Sequence, residues 1–150
     1  MCQARILLTE GGDVRVLRAA ALAQGRGLCR PAVVGWKGEV RALAEEHGIA
    51  VSFPVLEPEE DPALGDYVKR LATRLVARGG TPEEAADLAV NPLYYACLRV
   101  AAGESDGAVM GAVATTAETL RAALRTVGAR PGLRTVSSCF LMVLADGSGL

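Results

Sequence analysis

The chain of 150 residues is 51% hydrophobic and 22% charged, and its sixteen lysines and arginines are offset by seventeen acids, for a net charge of −1. Such a composition excludes a disordered polymer, and it provides no global field for nucleic acid or an anionic membrane surface. Four scattered cysteines (Cys2, Cys29, Cys97, Cys139) and the single His47 lack metal-ligand spacing, so neither a metal site nor a disulfide scaffold is expected. The unpaired cysteines fit a reducing cytoplasm. No stretch approaches the length of a membrane span, and the first apolar run is too short for a signal peptide.

In chain order, Arg5-Ile6-Leu7-Leu8-Thr9 predicts a buried strand that stops at the turn Glu10-Gly11-Gly12. Val14, Leu17, Ala20 and Ala21 recur at helical spacing, with Gly25 and Gly27 punctuating the end. Ala32 to Trp36 reads as a second strand. Val40, Leu43, Ala44 and His47 form the inner stripe of a second helix closed by Gly48. Ile49 to Leu56 reads as a third strand, which Pro54 places near a sheet edge.

Glu57 to Asp61 reads as an acidic, solvated connector, and Val68, Leu71 and Leu75 as the stripe of a third helix. Thr81-Pro82-Glu83-Glu84 is a helix start: threonine caps, proline fills the first turn, and Glu84 is placed to reach back. Asn91-Pro92 repeats the device and opens a helix through Tyr94, Cys97, Leu98 and Ala101, closed by Gly103. Ala108 to Val113, apolar on both faces, predicts a central parallel strand. The following helix uses Leu120, Leu124 and Val127 as its inner stripe; Thr135 to Ala145 is the last strand and Asp146-Gly147 the last turn. Strands alternating with helices predict a three-layer α/β/α domain with a mostly parallel sheet, spanning residues 1–150.

The candidate site lies in Gly111 to Arg121, GAVATTAETLR, where a strand turns into a helix. In open α/β sheets ligands gather at the carboxyl ends of strands, where helix N-termini present unpaired N–H groups. Thr115 is a helix cap with Glu118 as its capping-box partner, a structural role. Arg121, one turn further with Arg125 on the same face, is placed to hold a phosphate in bidentate fashion, or else to form a weak surface pair. His47, at a helix C-terminus, reads as a dipole partner, and Cys139 as packing. No nucleophile elbow, Walker loop or dinucleotide fingerprint occurs.

Beyond these readings, ILLTEGGDVRVLRAAALAQGRGLCRPAVVG resembles the opening of the phosphate acetyltransferases, with their L-P-E-type turn and D-x-R-x-L-x-A-A. The likeness continues through RGGTPEEAADLAVNPLYYACLRVAAGESDGAVMGAV, TTAETLRAAL and VSSCFLMVLADG, and parts are shared with phosphate butyryltransferases. The resemblance implies an isocitrate/isopropylmalate-dehydrogenase-like fold and the reaction acetyl-CoA plus phosphate giving acetyl phosphate plus CoA. CoA enters as substrate rather than cofactor, and no nucleic acid or membrane partner is implied. The arginine of the family's T-L-R motif, Arg121 here, binds substrate in that reading, with Thr115 and Thr116 beside it.

Three positions depart from the family pattern: Ala114 stands where a histidine is usual, Met110 where a serine is usual, and Leu75 aligns with an arginine. Family members are about twice as long and carry the catalytic serine, arginine and aspartate in the other half. No catalytic residue is therefore assigned here, and the chain alone is expected to lack transferase activity. The alternative is a non-catalytic CoA- or phosphate-binding, or interaction, module. In the family the C-terminal segment completes the sheet, so an open edge here would favour a homodimer.

Overall fold

The structure, a computed structural model, describes residues 3–132 and 135–137. Four strands form one sheet: β1 (Arg5–Leu8), β2 (Arg30–Val34), β3 (Val55–Leu56) and β4 (Gly107–Val109). All three pairings are parallel and the spatial order is β3-β2-β1-β4. Helices α1 (Val14–Gly25) and α2 (Lys37–Glu46) cover one face, while α3 (Leu64–Val76), α4 (Pro82–Ala89), α5 (Pro92–Ala101) and α6 (Thr116–Thr126) cover the other.

The two cores follow from strand alternation, which sends successive side chains to opposite faces. Leu7 and Val34 enter the cluster with Leu71, Tyr95 and Leu98; Leu8 and Val33 enter the cluster with Leu17, Val40 and Phe53. Leu17, Leu71, Val33 and Val34 are fully buried. Each such side chain contributes roughly 1.5–3 kcal/mol relative to exposure.

Helix starts match their sequence signals. Thr81 Oγ1 accepts the Glu84 amide at 3.1 Å and Asn91 Oδ1 accepts the Leu93 amide at 3.0 Å. Glu84 does not reach back to close a box; its carboxylate pairs instead with Arg125 at 3.0 Å.

Several expectations change. β2 runs from Arg30 to Val34, so Trp36 leaves the sheet and sits 56% exposed at the start of α2. β3 shrinks to two residues, since Pro54 has no N–H to give the ladder, although it does lie at the sheet edge. His47 is exposed past the end of α2 rather than on its inner stripe. β4 stops at Val109 and is the outer strand among the described residues, because the amides beyond it turn to a different acceptor, described below. The inner face of α6 is Ala122 and Thr126, small enough for close approach to α5; Leu120 and Val127 are 40% and 45% exposed.

Asp61 is the clearest departure from a solvated connector. Its carboxylate pairs with Arg99 at 2.6 Å and accepts from the Tyr95 hydroxyl, and its side chain is only 8% exposed. Arg99 also pairs with Glu104 at 2.9 Å, and Glu104 accepts from Tyr67 at 2.7 Å. The network ties α3 and α5 to the loops before α3 and after α5. Burial and the bond to Asp61 push the Tyr95 hydroxyl up to about 12. The predicted last strand is without regular structure over Thr135 to Ser137; its remainder, the Asp146-Gly147 turn, Cys2 and Cys139 lie outside the described residues.

Candidate functional site

Adjacent strands β1 and β4 send their chains to opposite faces: β1 leads into α1, and β4 leads into α6. That divergence is a topological switch point, where open α/β sheets leave a crevice at the strands' carboxyl ends.

Glu10, just past β1, has φ 66° and is the residue other than glycine that adopts a positive φ among the described residues. Holding a side-chain-bearing residue there costs on the order of 1–3 kcal/mol and needs surroundings that impose it. The flanking turn supplies them. The Gly11 amide donates to the Val34 carbonyl at 3.0 Å, and the Asp13 amide donates to the Glu10 carbonyl at 3.0 Å. A Cβ on Gly11 would stand 2.8 Å from Val33 Cγ1 and 2.9 Å from the Val34 carbonyl, so only glycine fits without a shift.

The Glu10 carboxylate reaches across to the loop after β4 and accepts four consecutive backbone N–H groups. Oε2 takes those of Gly111 (3.0 Å) and Ala112 (2.8 Å); Oε1 takes those of Val113 (2.9 Å) and Ala114 (2.6 Å). A run of amides converging on one anion is a backbone nest, and here the anion belongs to the chain itself. Partial burial raises the carboxyl, but the four amide bonds together outweigh it and hold Glu10 below the usual carboxylate range. Arg15 adds a fifth link by donating to the Ala112 carbonyl at 2.7 Å while pairing with Asp13.

The next amide is taken as well. Thr115 N–H and Oγ1 both donate to Glu118 Oε2 at 2.7 Å, and the Glu118 amide donates back to Thr115 Oγ1 at 3.3 Å, completing the predicted capping box. Thr115 is therefore committed to the cap of α6. Thr116 and Arg121 are both exposed, and Arg121 makes no hydrogen bond or salt bridge among the described residues. Arg121 lines a hollow of about 350 Å³ with Asn91, Tyr94, Glu118 and Arg125. The two threonines do not line that hollow: they sit at the start of α6, and Arg121 lies in its second turn.

The departures from the family pattern have distinct settings. Leu75 is a core residue of α3, 4% exposed, while Arg74 and Arg78 beside it are exposed. Met110 precedes the four amides held by Glu10, and Ala114 supplies the last of them. Among the described residues no group of three or more His, Cys, Asp or Glu is placed to hold a metal, and no helix is long and apolar enough to cross a membrane.

A parallel sheet in this order, with its switch point at β1 and β4 and helices on both faces, defines a doubly wound α/β domain. Comparison with known proteins narrows the class. The sequence model of the phosphate acetyl/butaryl transferase family matches residues 2–150, and the chain belongs to that family. It is similar to the phosphate acetyltransferases of Acetivibrio thermocellus (36% identical over 142 residues) and Paracoccus denitrificans (38% over 144), which it matches over 94% and 96% of its length and 42% of theirs. Its fold matches the EutD phosphotransacetylase of Staphylococcus aureus with a TM-score of 0.84 at 32% identity, covering 96% of this chain and 44% of that one. The chain thus spans less than half the length of these relatives.

Proposed function

We propose that this chain is the first α/β domain of a phosphate acyltransferase, and that its share of the work is to bind CoA or the phosphoryl group of acetyl phosphate beside α6. The family reaction moves an acetyl group between CoA sulfur and a phosphate oxygen. A thiolate attacks acetyl phosphate and phosphate leaves, or the reverse, so cationic groups that neutralise the phosphate lower the barrier. Arg121 is the group this chain offers: an exposed guanidinium with no salt bridge among the described residues, in the second turn of the helix that follows β4. That exposed guanidinium, whose charge acts on the Glu118 carboxylate in the same hollow without a salt bridge among the described residues, is the observation on which the reading rests. Thr116 is a further exposed hydroxyl at the first turn of the same helix, and Thr115 holds the turn in place.

The chain alone, covering 42–44% of its relatives, does not complete the reaction in this proposal. Calorimetry with CoA and with inorganic phosphate tests it. Binding by the unaltered chain and a loss of roughly tenfold or more in affinity for Arg121→Ala, as expected when a charge-assisted bond of about 1.5–3 kcal/mol is removed, would support the site. Unchanged affinity would reject it, and acetyl-CoA formation by the purified chain would reject the division of labour.

A non-catalytic binding module is the second reading, and one observation favours it. The four amides of the nest, free to receive a ligand anion in principle, are already filled by Glu10.

A further inference from the structure

Two loops that begin at the switch point are 101 to 104 residues apart in sequence, and a single carboxylate joins them. Glu10 could not make this bridge from ordinary strand geometry. Its left-handed backbone turns the side chain out of the β1 direction and across to the β4–α6 loop. On the other side Gly111 has φ 98°, a conformation that suits glycine, and this starts the run of amides pointing inward. Sequence and backbone on both loops are thus fitted to one interaction.

The bridge has a consequence for α6. The amides of Gly111 to Ala114 are fixed by Glu10, the Thr115 amide by Glu118, and Thr116 opens the helix that carries Arg121. No strand of the described sheet pairs with residues 110–115, so their course is set by these carboxylates and by Arg15 on the Ala112 carbonyl. We infer that Glu10 is the positioning residue of the ligand-binding turn: it does not touch ligand, but it fixes the loop whose geometry places Thr116 and Arg121. This inference rests on the assignment of CoA or phosphate binding to Arg121.

Substituting Glu10→Gln keeps the length and one oxygen but turns an NH2 group toward backbone donors, so two of the four amides lose their acceptor. The loop amides, read by hydrogen exchange in the 150-residue chain, should then exchange about tenfold faster at residues 111–114, while the core strands β1 and β2 keep their protection. CoA affinity, measured alongside, should fall in step, and Arg121→Ala should lose affinity without altering exchange at 111–114. That contrast separates positioning from contact.

If Glu10→Gln fails to fold, the unaltered chain still decides the point. On acid titration the four amide resonances should move together with the Glu10 carboxyl carbon; Asp13, paired with Arg15, and Glu118, whose charge Glu10 opposes, lie near it, and Arg15 stays charged throughout. Unchanged exchange at 111–114, or four amides that titrate independently of Glu10, overturns the bridge. Faster exchange with unchanged CoA affinity overturns the positioning role. Absence of CoA and phosphate binding by the unaltered chain overturns the ligand assignment and the positioning role with it, and leaves the bridge to be judged by exchange alone.

Discussion

Glu10 and Asp61 are both carboxylates that tie distant segments together, but their donors differ in kind. Glu10 holds four backbone amides at the open end of the sheet. Asp61 holds the Arg99 guanidinium, 19% exposed, and the Tyr95 hydroxyl in the seam between α3 and α5. Backbone donors near solvent can be rehydrated when their acceptor is lost, so the consequence is a change in the loop's course. The Arg99 guanidinium and Tyr95 hydroxyl are mostly buried, so losing their shared acceptor weakens the packing of α5 against the loops around it. The first arrangement shapes a site and the second holds layers together.

That contrast can be broken most sharply by Asp61→Ala, which removes the shared acceptor of the Arg99 guanidinium and the Tyr95 hydroxyl and leaves Arg99 with Glu104 alone. It should destabilise the chain by about 3 kcal/mol, read as a shift in the urea midpoint at unchanged slope. If Glu10→Ala costs as much, the distinction between the two carboxylates fails.

A smaller effect sharpens the local side of the comparison. Thr115→Ala removes the cap of α6 and should cost about 1 kcal/mol, with faster amide exchange confined to the first turn of that helix. Exchange that rises through α5 as well would mean that the turn is coupled to the core.

Acid gives the smallest effect. Arg15 draws Asp13 down to about 2, and Arg5 does the same for Asp106, in both cases chiefly through side-chain hydrogen bonds. Glu10 is also lowered. Because these folded values lie below the unfolded ones, their stabilisation is present above the ordinary values of 3.8 and 4.5 and is lost as pH falls toward about 2. Asp13 and Asp106 are exposed and screened, so a modest, salt-sensitive decline in thermal midpoint is expected across that window. A rise in stability over the same range would contradict the assignment.

Helix starts were written locally and could be read directly. Thr81, Asn91 and Thr115 each cap the helix that their spacing announces, because the cap bond spans only two or three residues. The parallel α/β architecture was also legible, from the alternation of apolar runs and helical stripes. What could not be read was long-range. Ala108 to Val113 is apolar throughout, yet its second half serves a carboxylate about a hundred residues earlier instead of a neighbouring strand. Glu10-Gly11-Gly12-Asp13 held a signal, an acid beside glycines at a strand end, but it has no stated acceptor or donor in sequence alone. Asp61 was hidden for the same reason: an acidic loop looks solvated until Arg99 is brought 2.6 Å away. The inner face of α6 was misassigned because close packing chose Ala122 and Thr126 over larger neighbours.

In the proposed function, the first two turns of α6, with Arg121, are the part of this chain that meets CoA or phosphate. A backbone NMR titration of the chain with CoA, repeated with inorganic phosphate, tests it most directly. Saturable shifts clustered from Met110 to Arg125 are expected, with Glu10 responding through the loop it holds. Shifts clustered instead around Arg30 and Arg99, which line a separate hollow of about 580 Å³, or no shifts at all, would contradict it.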